Sequence, residues 1–421
     1  MDANQILTVI AFVGGFYMAW NIGANDVANA FGTSVGSGAL TIRRAVLLAA
    51  VFEFGGAFLV GQPVAKTVSE GVLRLDCFTV NPEMTRLLGL GMIGGLLASS
   101  IWLNIATFFG QPVSTTHAII GALIGMGVVA AGPACVQWNK MGVIAASWIV
   151  SPLFGAVLAY AIYRWGIQRM ILRSRHPVFR AIASVPVAMG ALIAIVAFSV
   201  VYKGLPGLHL DLPLPWAAGV SVLAGLAVLA ATWLGLRGKM YRHNVPHSER
   251  YQAVERWFGY MQIATACYMS FAHGANDVAN AIGPLASALE IVRTGRVNPA
   301  VGVPAWLLAF GGVGIVIGLA TYGYKVIEAV GRKITEITPT RGFAAAFGTA
   351  TSVLVFSKLG MPISTTFVIV GAVMGVGFAR GFAAIDLKVI RGIFASWLVT
   401  IPVSAVLSAI AFWTLRALVG V

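Results

Sequence analysis

Residues 23–30 read GANDVANA, and residues 274–281 read the same eight letters. A second pair keeps nearly the same spacing: Gly110–Thr116 reads GQPVSTT and Gly360–Thr366 reads GMPISTT. Each of these is followed by glycines at small-xxx-small spacing, Gly121, Gly125 and Gly127 in one copy and Gly371, Gly375 and Gly377 in the other. Ser147-Trp148 and Ser396-Trp397 add a weaker third match. The chain is therefore two copies of one unit, a pattern that decides architecture before any local propensity does.

Both copies lie in apolar sequence. Of 421 residues, 58% are apolar and 10% charged, and the mean hydropathy is +0.87; soluble domains are nearer a quarter charged. Such a chain is a membrane protein, and soluble enzymes, collagen-like chains and disordered chains are excluded. Apolar runs fall at about 5–38, 42–62, 86–108, 112–132, 141–163, 181–202, 214–236, 258–286, 301–321, 342–357, 362–379 and 389–415. The expected fold is all-α: a polytopic membrane protein of about twelve segments, with broken or re-entrant helices allowed.

The formal charge of +14 would suggest nucleic acid in a soluble protein, but here the cations punctuate apolar runs, as topology determinants do. Residues 164–180 and 237–257 carry five basic residues each and flank a hairpin at 181–236 with a Gly- and Pro-rich tip, Gly204–Pro215. With one crossing per segment, nineteen of the 28 basic residues fall inside and both termini outside. No cleavable leader precedes the first run, and the loops are short, so the expected location is a prokaryotic plasma (inner) membrane. Residues 1–165 then form a first repeat, 166–257 the basic segments with the hairpin, and 258–421 a second repeat. Five crossings per repeat and two in the hairpin make the repeats inverted, as in many secondary transporters.

Asn25, Asp26 and Asn29, with Asn276, Asp277 and Asn280, place carboxylates and amides within apolar runs. A carboxylate at membrane depth is costly and by default serves a cavity, a partner or an ion. Oxygen ligands suit Na+, while an Asp alone suits a proton. The flanking glycines permit the helix to break here. Amides that merely tie helices together are the plainer reading of one copy, and duplication weakens it.

Pro112 and Pro362 fit the first turn of a helix. The hydroxyls that follow, Ser114, Thr115 and Thr116 with Ser364, Thr365 and Thr366, would then surround two helix starts whose free N–H groups favour a tetrahedral oxyanion. Gln111 is an accessory candidate. Capping alone accounts for a single such motif, but both repeats pair it with a cation-type site. Burying a divalent anion requires accompanying cations, which couples the two.

Glu53 is a further intramembrane acid, open to a role as ligand or as a partner of Arg43 or Arg44. His117 and His273 each occur in one copy only, opposite Phe367 and Ile22, and read as packing or hydrogen-bonding residues. Cys77, Cys135 and Cys267 lack metal or redox spacing and read as packing residues.

These motifs resemble the inorganic phosphate transporter (PiT) family over nearly the whole length: GANDVANAFGTSVGSG at Gly23–Gly38, FAHGANDVANAIGP at Phe271–Pro284, and both STT motifs in order. The resemblance implies twelve segments in an inverted repeat, with Na+ on Asp26, Asn29, Asp277 and Asn280 and inorganic phosphate on the two Ser-Thr-Thr starts. It implies no cofactor beyond co-transported Na+ or H+, no enzymatic activity, and allows a homodimer. Complete GANDVANA in both halves resembles the sodium-coupled branch. Glu53 matches an acidic position important in the family. The sequence departs from the family at Phe367, where a His is usual, at Ala346, where an acid is frequent, and in lacking the long insertion of animal members.

Competing readings are a hydrolase built on Ser34 in GTSVG (Gly32–Gly36), an ATP-driven pump and a channel. The first lacks strands and a His/Asp pair, the second lacks a P-loop, and the third needs no coupled burial of substrate. A proton-coupled phosphate or metal-phosphate symporter, or a sulfate permease, is the nearer alternative.

Overall fold

A computed structural model describes residues 3–109, 113–202, 212–240, 246–297, 303–323, 338–381 and 387–419. These residues form helices: α1 (Ala3–Gly36), α2 (Ile42–Val60), α3 (Gln62–Glu70), α4 (Pro82–Phe108), α5 (Thr115–Ala131), α6 (Trp138–Ala161), α7 (Pro177–Val201), α8 (Leu214–Met240), α9 (Arg250–Thr294), α10 (Ala305–Gly318), α11 (Pro339–Lys358), α12 (Thr365–Arg380) and α13 (Leu387–Val419). Wide π-helical turns continue α6 through Leu172 and α10 through Gly323.

Seven of the described helical segments are long and apolar enough to cross a bilayer, and α2 with α3 passes as a pair bent by 64°. At 17 and 16 residues, α5 and α12 reach only about 25 Å, short of a hydrocarbon core of about 30 Å. Neither spans the core by its own length, so one crossing per apolar run is too simple for these two. α7 and α8 pack tightly, Gly190 lying against the Gly225 backbone; tip residues 204–211 lie outside the described residues.

Pairing crosses between the repeats. α2 packs on α9 while α10 packs on α1; α13 packs on α5 while α12 packs on α6. The contacts repeat residue for residue. A Cβ on Gly274 would collide with the Glu53 carbonyl, and one on Gly23 with that of Ile315; one on Gly375 would meet Ala156 O, and one on Gly125 Ala405 O. Small residues let helix backbones touch where apolar burial alone drives nothing, because lipid is as apolar as the partner helix.

That use of glycine overturns one expectation. Neither GANDVANA helix breaks: α1 and α9 run through their motifs continuously, because Gly23 and Gly274 serve contact rather than bending. The chain breaks instead at Gly61 and ahead of Thr115 and Thr365.

Cys77 and Cys135 form a disulfide, so they are not the packing residues expected; Cys267 is free and buried. Around the disulfide, Leu73 bridges Val136, and Gln137 Nε2 donates to the carbonyls of Glu70 (2.9 Å) and Leu73 (2.5 Å). The end of α3 is thereby fastened to the loop that follows α5.

Candidate functional site

The Ser-Thr-Thr starts stand where α1 and α9 present their motifs. Ser114 and Ser364 cap α5 and α12, accepting from the backbone N–H of His117 (3.2 Å) and Phe367 (3.3 Å). Capping satisfies one of the four N–H groups that a helix start leaves free. Pro362 precedes this cap and lies outside the helix rather than in its first turn. Pro112 and Gln111 lie outside the described residues.

The four threonines join the repeats. Asn29 Nδ2 donates to Thr366 Oγ1 (3.0 Å) and Asp26 Oδ1 (3.2 Å), and Thr366 Oγ1 lies 3.4 Å from that same Oδ1. Thr365 Oγ1 donates to Asp277 Oδ2 at 3.0 Å. Asn280 Nδ2 reaches Thr116 Oγ1 at 3.1 Å and Thr115 Oγ1 at 3.4 Å, and Thr116 donates to the Ile363 carbonyl at 2.9 Å. Each motif's second Asn thus contacts the Ser-Thr-Thr start of the opposite repeat. With its oxygen accepting from Ser357 Oγ (2.9 Å), the Asn276 amide donates to Asp277 Oδ1 and the Ile363 carbonyl, both at 3.0 Å. This orientation is the one that satisfies both ends of the amide. Asn25 is buried, and its Nδ2 has no partner among the described residues.

The centre is built around His273, whose hydrogen-bonding role the sequence allows but whose central place its lack of symmetry hides. Its Nδ1 lies 2.9 Å from Glu53 Oε2, and its Nε2 lies 2.8 Å from Asp277 Oδ2 and 3.8 Å from Asp26 Oδ2. Ser270 Oγ approaches Glu53 Oε1 at 3.5 Å. All four ionisable groups are buried. Glu53 therefore pairs with His273 and not with Arg43 or Arg44. Its counterpart across the repeats is Ile315, facing Gly23 as Glu53 faces Gly274, where the sequence spacing had pointed to 310–313. One half of the site is charged where the other is apolar.

His117 is a different case. Both its ring nitrogens lack partners among the described residues, and it stacks edge-on to Trp148 (3.8 Å) and Phe367 (4.5 Å). It behaves as the packing residue expected, wedged between the two helix starts.

Oxygens able to take a cation remain. Asp26 Oδ2 and Asn280 Oδ1 accept no hydrogen bond among the described residues, and ligand atoms of Asp26, His273 and Asp277 lie within 4.8 Å of one another. Three carboxylates face one imidazole, so with every group ionised the cluster carries two excess negative charges in a water-poor setting. Such a cluster favours a bound cation.

A polytopic membrane protein with a buried ionic centre, closed by two helix starts and shared between repeats, has the build of a transporter. A family model described as the phosphate transporter family matches residues 22–408, and the chain belongs to that family, which is not an enzyme family. It is 44% identical to the Arabidopsis thaliana protein named inorganic phosphate transporter 2-1, chloroplastic, over 97% of this chain and 72% of that protein. It is 45% identical to a Thermococcus kodakarensis protein that carries the name phosphate permease, over 98% of each chain. A solved structure titled the sodium-dependent phosphate transporter superposes with a TM-score of 0.91 at 39% identity, over 98% of this chain and 99% of that one.

Proposed function

We propose that this protein imports inorganic phosphate by symport with Na+, through alternating access between two inverted repeats. The carrying observation is direct hydrogen bonding between motifs and starts: Asn29 to Thr366, Asn280 to Thr116 and Thr365 to Asp277. A cation on Asp26 and Asn29, or on Asp277 and Asn280, would draw side chains away from the threonines and free their hydroxyls. Phosphate would then take the freed hydroxyls and the first-turn N–H groups of α5 and α12, with Na+ offsetting its charge. Substrate and coupling ion share ligands, so each raises the affinity for the other. The sodium-dependent transporter with the same fold supports Na+ as the ion.

The resident membrane is a plasma membrane with both termini outside. The basic residues favour this sidedness. The Cys77–Cys135 disulfide supports it independently, because disulfides persist on oxidising faces and both cysteines fall on the side assigned as outer.

A second reading, proton coupling, is favoured by one observation: His273 bridging Glu53 and Asp277 offers a titratable path beside the cation oxygens. Radiolabelled phosphate uptake into proteoliposomes under an imposed Na+ gradient or an imposed proton gradient separates the two. Uptake driven by Na+ and indifferent to unlabelled sulfate is the expected result. Uptake driven by protons alone would reassign Asp26 and Asp277 as proton carriers, and strong sulfate competition would change the substrate.

A further inference from the structure

On the membrane face that carries the disulfide, a cavity of about 720 Å³ opens between the first turns of α1, α3, the end of α9 and the start of α10. None of the residues of the central site lines it. Its inner wall includes Leu88 and Leu307, both buried, while Lys66, Glu70, Glu290 and Arg293 line it with charge. α1 has 34 residues, about 50 Å of helix against a hydrocarbon core of about 30 Å. Its first turns therefore stand at headgroup level, and the cavity runs from that level toward the acyl region.

Two cations and two anions on one rim do not suit an inorganic dianion. They suit a zwitterion: Lys66 and Arg293 offer donors to a phosphodiester, and Glu70 and Glu290 offer acceptors to an ammonium. An apolar wall below a charged rim is the complement of an amphiphile, and snorkelling basic side chains are at home at this depth. We propose that this cavity is a lipid site that holds one zwitterionic phospholipid, headgroup on the rim and an acyl chain along Leu88 and Leu307.

The test is native mass spectrometry of the detergent-purified full chain, with phosphatidylethanolamine added as probe. One adduct per chain should survive activation that strips other lipid. Charge reversal in Lys66→Glu/Arg293→Glu should lower the bound fraction at least fivefold, and Ser287→Trp, which fills the cavity from α9, should do the same. Phosphate uptake and thermal stability of each variant report folding; if the double variant fails to fold, Ser287→Trp alone decides. Equal retention in a folded variant overturns the proposal. Displacement by phosphatidylglycerol of the same chains at equal concentration overturns the zwitterion assignment. Displacement by inorganic phosphate overturns it too, marking the cavity as a substrate vestibule.

Discussion

His273 Nδ1 lies 2.9 Å from Glu53 Oε2, an ionic contact from α9 to α2 that has no counterpart between α1 and α10. There the equivalent positions are Ile22 and Ile315. The two equivalent helix pairs thus differ here by one buried acid and one imidazole. Glu53→Gln keeps the shape but weakens the hold on His273, which also orients Asp277. Phosphate uptake should fall at least tenfold while the variant stays folded. His273→Gln should fall similarly, and normal uptake in both variants would exclude this contact from transport.

Asp26 and Asp277 are the charged members of the cation sites proposed above. Asp26→Asn and Asp277→Asn each keep hydrogen-bond capacity and remove one charge. Each should abolish Na+-dependent uptake in proteoliposomes. Full Na+-driven transport in either variant would sink the assignment.

Helix contact through glycine has a stability signature. Gly125→Ala and Gly375→Ala press a methyl group onto the Ala405 and Ala156 carbonyls, and such overpacking costs about 1–3 kcal/mol. Gly142 in α6 faces open space, so Gly142→Ala should be neutral or slightly stabilising. Thermal unfolding in detergent should place Gly125→Ala and Gly375→Ala well below Gly142→Ala.

The disulfide reports sidedness. After mild reduction of intact cells, a membrane-impermeant maleimide should label Cys77 and Cys135, and buried Cys267 should stay unlabelled. Labelling confined to inverted vesicles would reverse the proposed orientation. Replacing both cysteines by Ser should cost about 2–4 kcal/mol of stability.

Ser34 is buried, and its hydroxyl has no partner among the described residues. A transporter has no use for it as a nucleophile. Ser34→Ala should leave phosphate uptake within about twofold of the parent; a hydrolytic activity that this variant loses would revive the rejected reading.

Much of this molecule is legible in its letters because duplication marks function twice. Asp26, Asn29, Asp277, Asn280 and the two Ser-Thr-Thr motifs stand out by repetition, and the structure brings them together. Repetition also misleads. His273 lacks a twin and reads only as a packing or hydrogen-bonding residue, yet it sits four residues before Asp277, where helix geometry places two side chains on one face. Glycine beside a polar motif reads equally as hinge or as contact, and only the partner helix, hundreds of residues away in sequence, decides between them. The Cys77–Cys135 pair spans 58 residues, and no spacing rule joins cysteines so far apart. Pro362 reads as a helix opener, but the capping preference of Ser364 sets the start three residues later, at Thr365.

The exchanged pairing of α2 with α9 and α10 with α1 bears on descent and on assembly during synthesis. A single copy of the repeat would leave uncovered the glycine-bearing faces that now meet the other copy, so a one-copy ancestor could have stood only as two identical chains embracing each other. Fusion then made the embrace permanent and let the halves diverge, giving Glu53 to the first and His273 to the second, each without a twin. On the ribosome the cost persists: α2 must wait in the bilayer for a partner that begins at Arg250, and the first half of the protein is finished only when the second arrives.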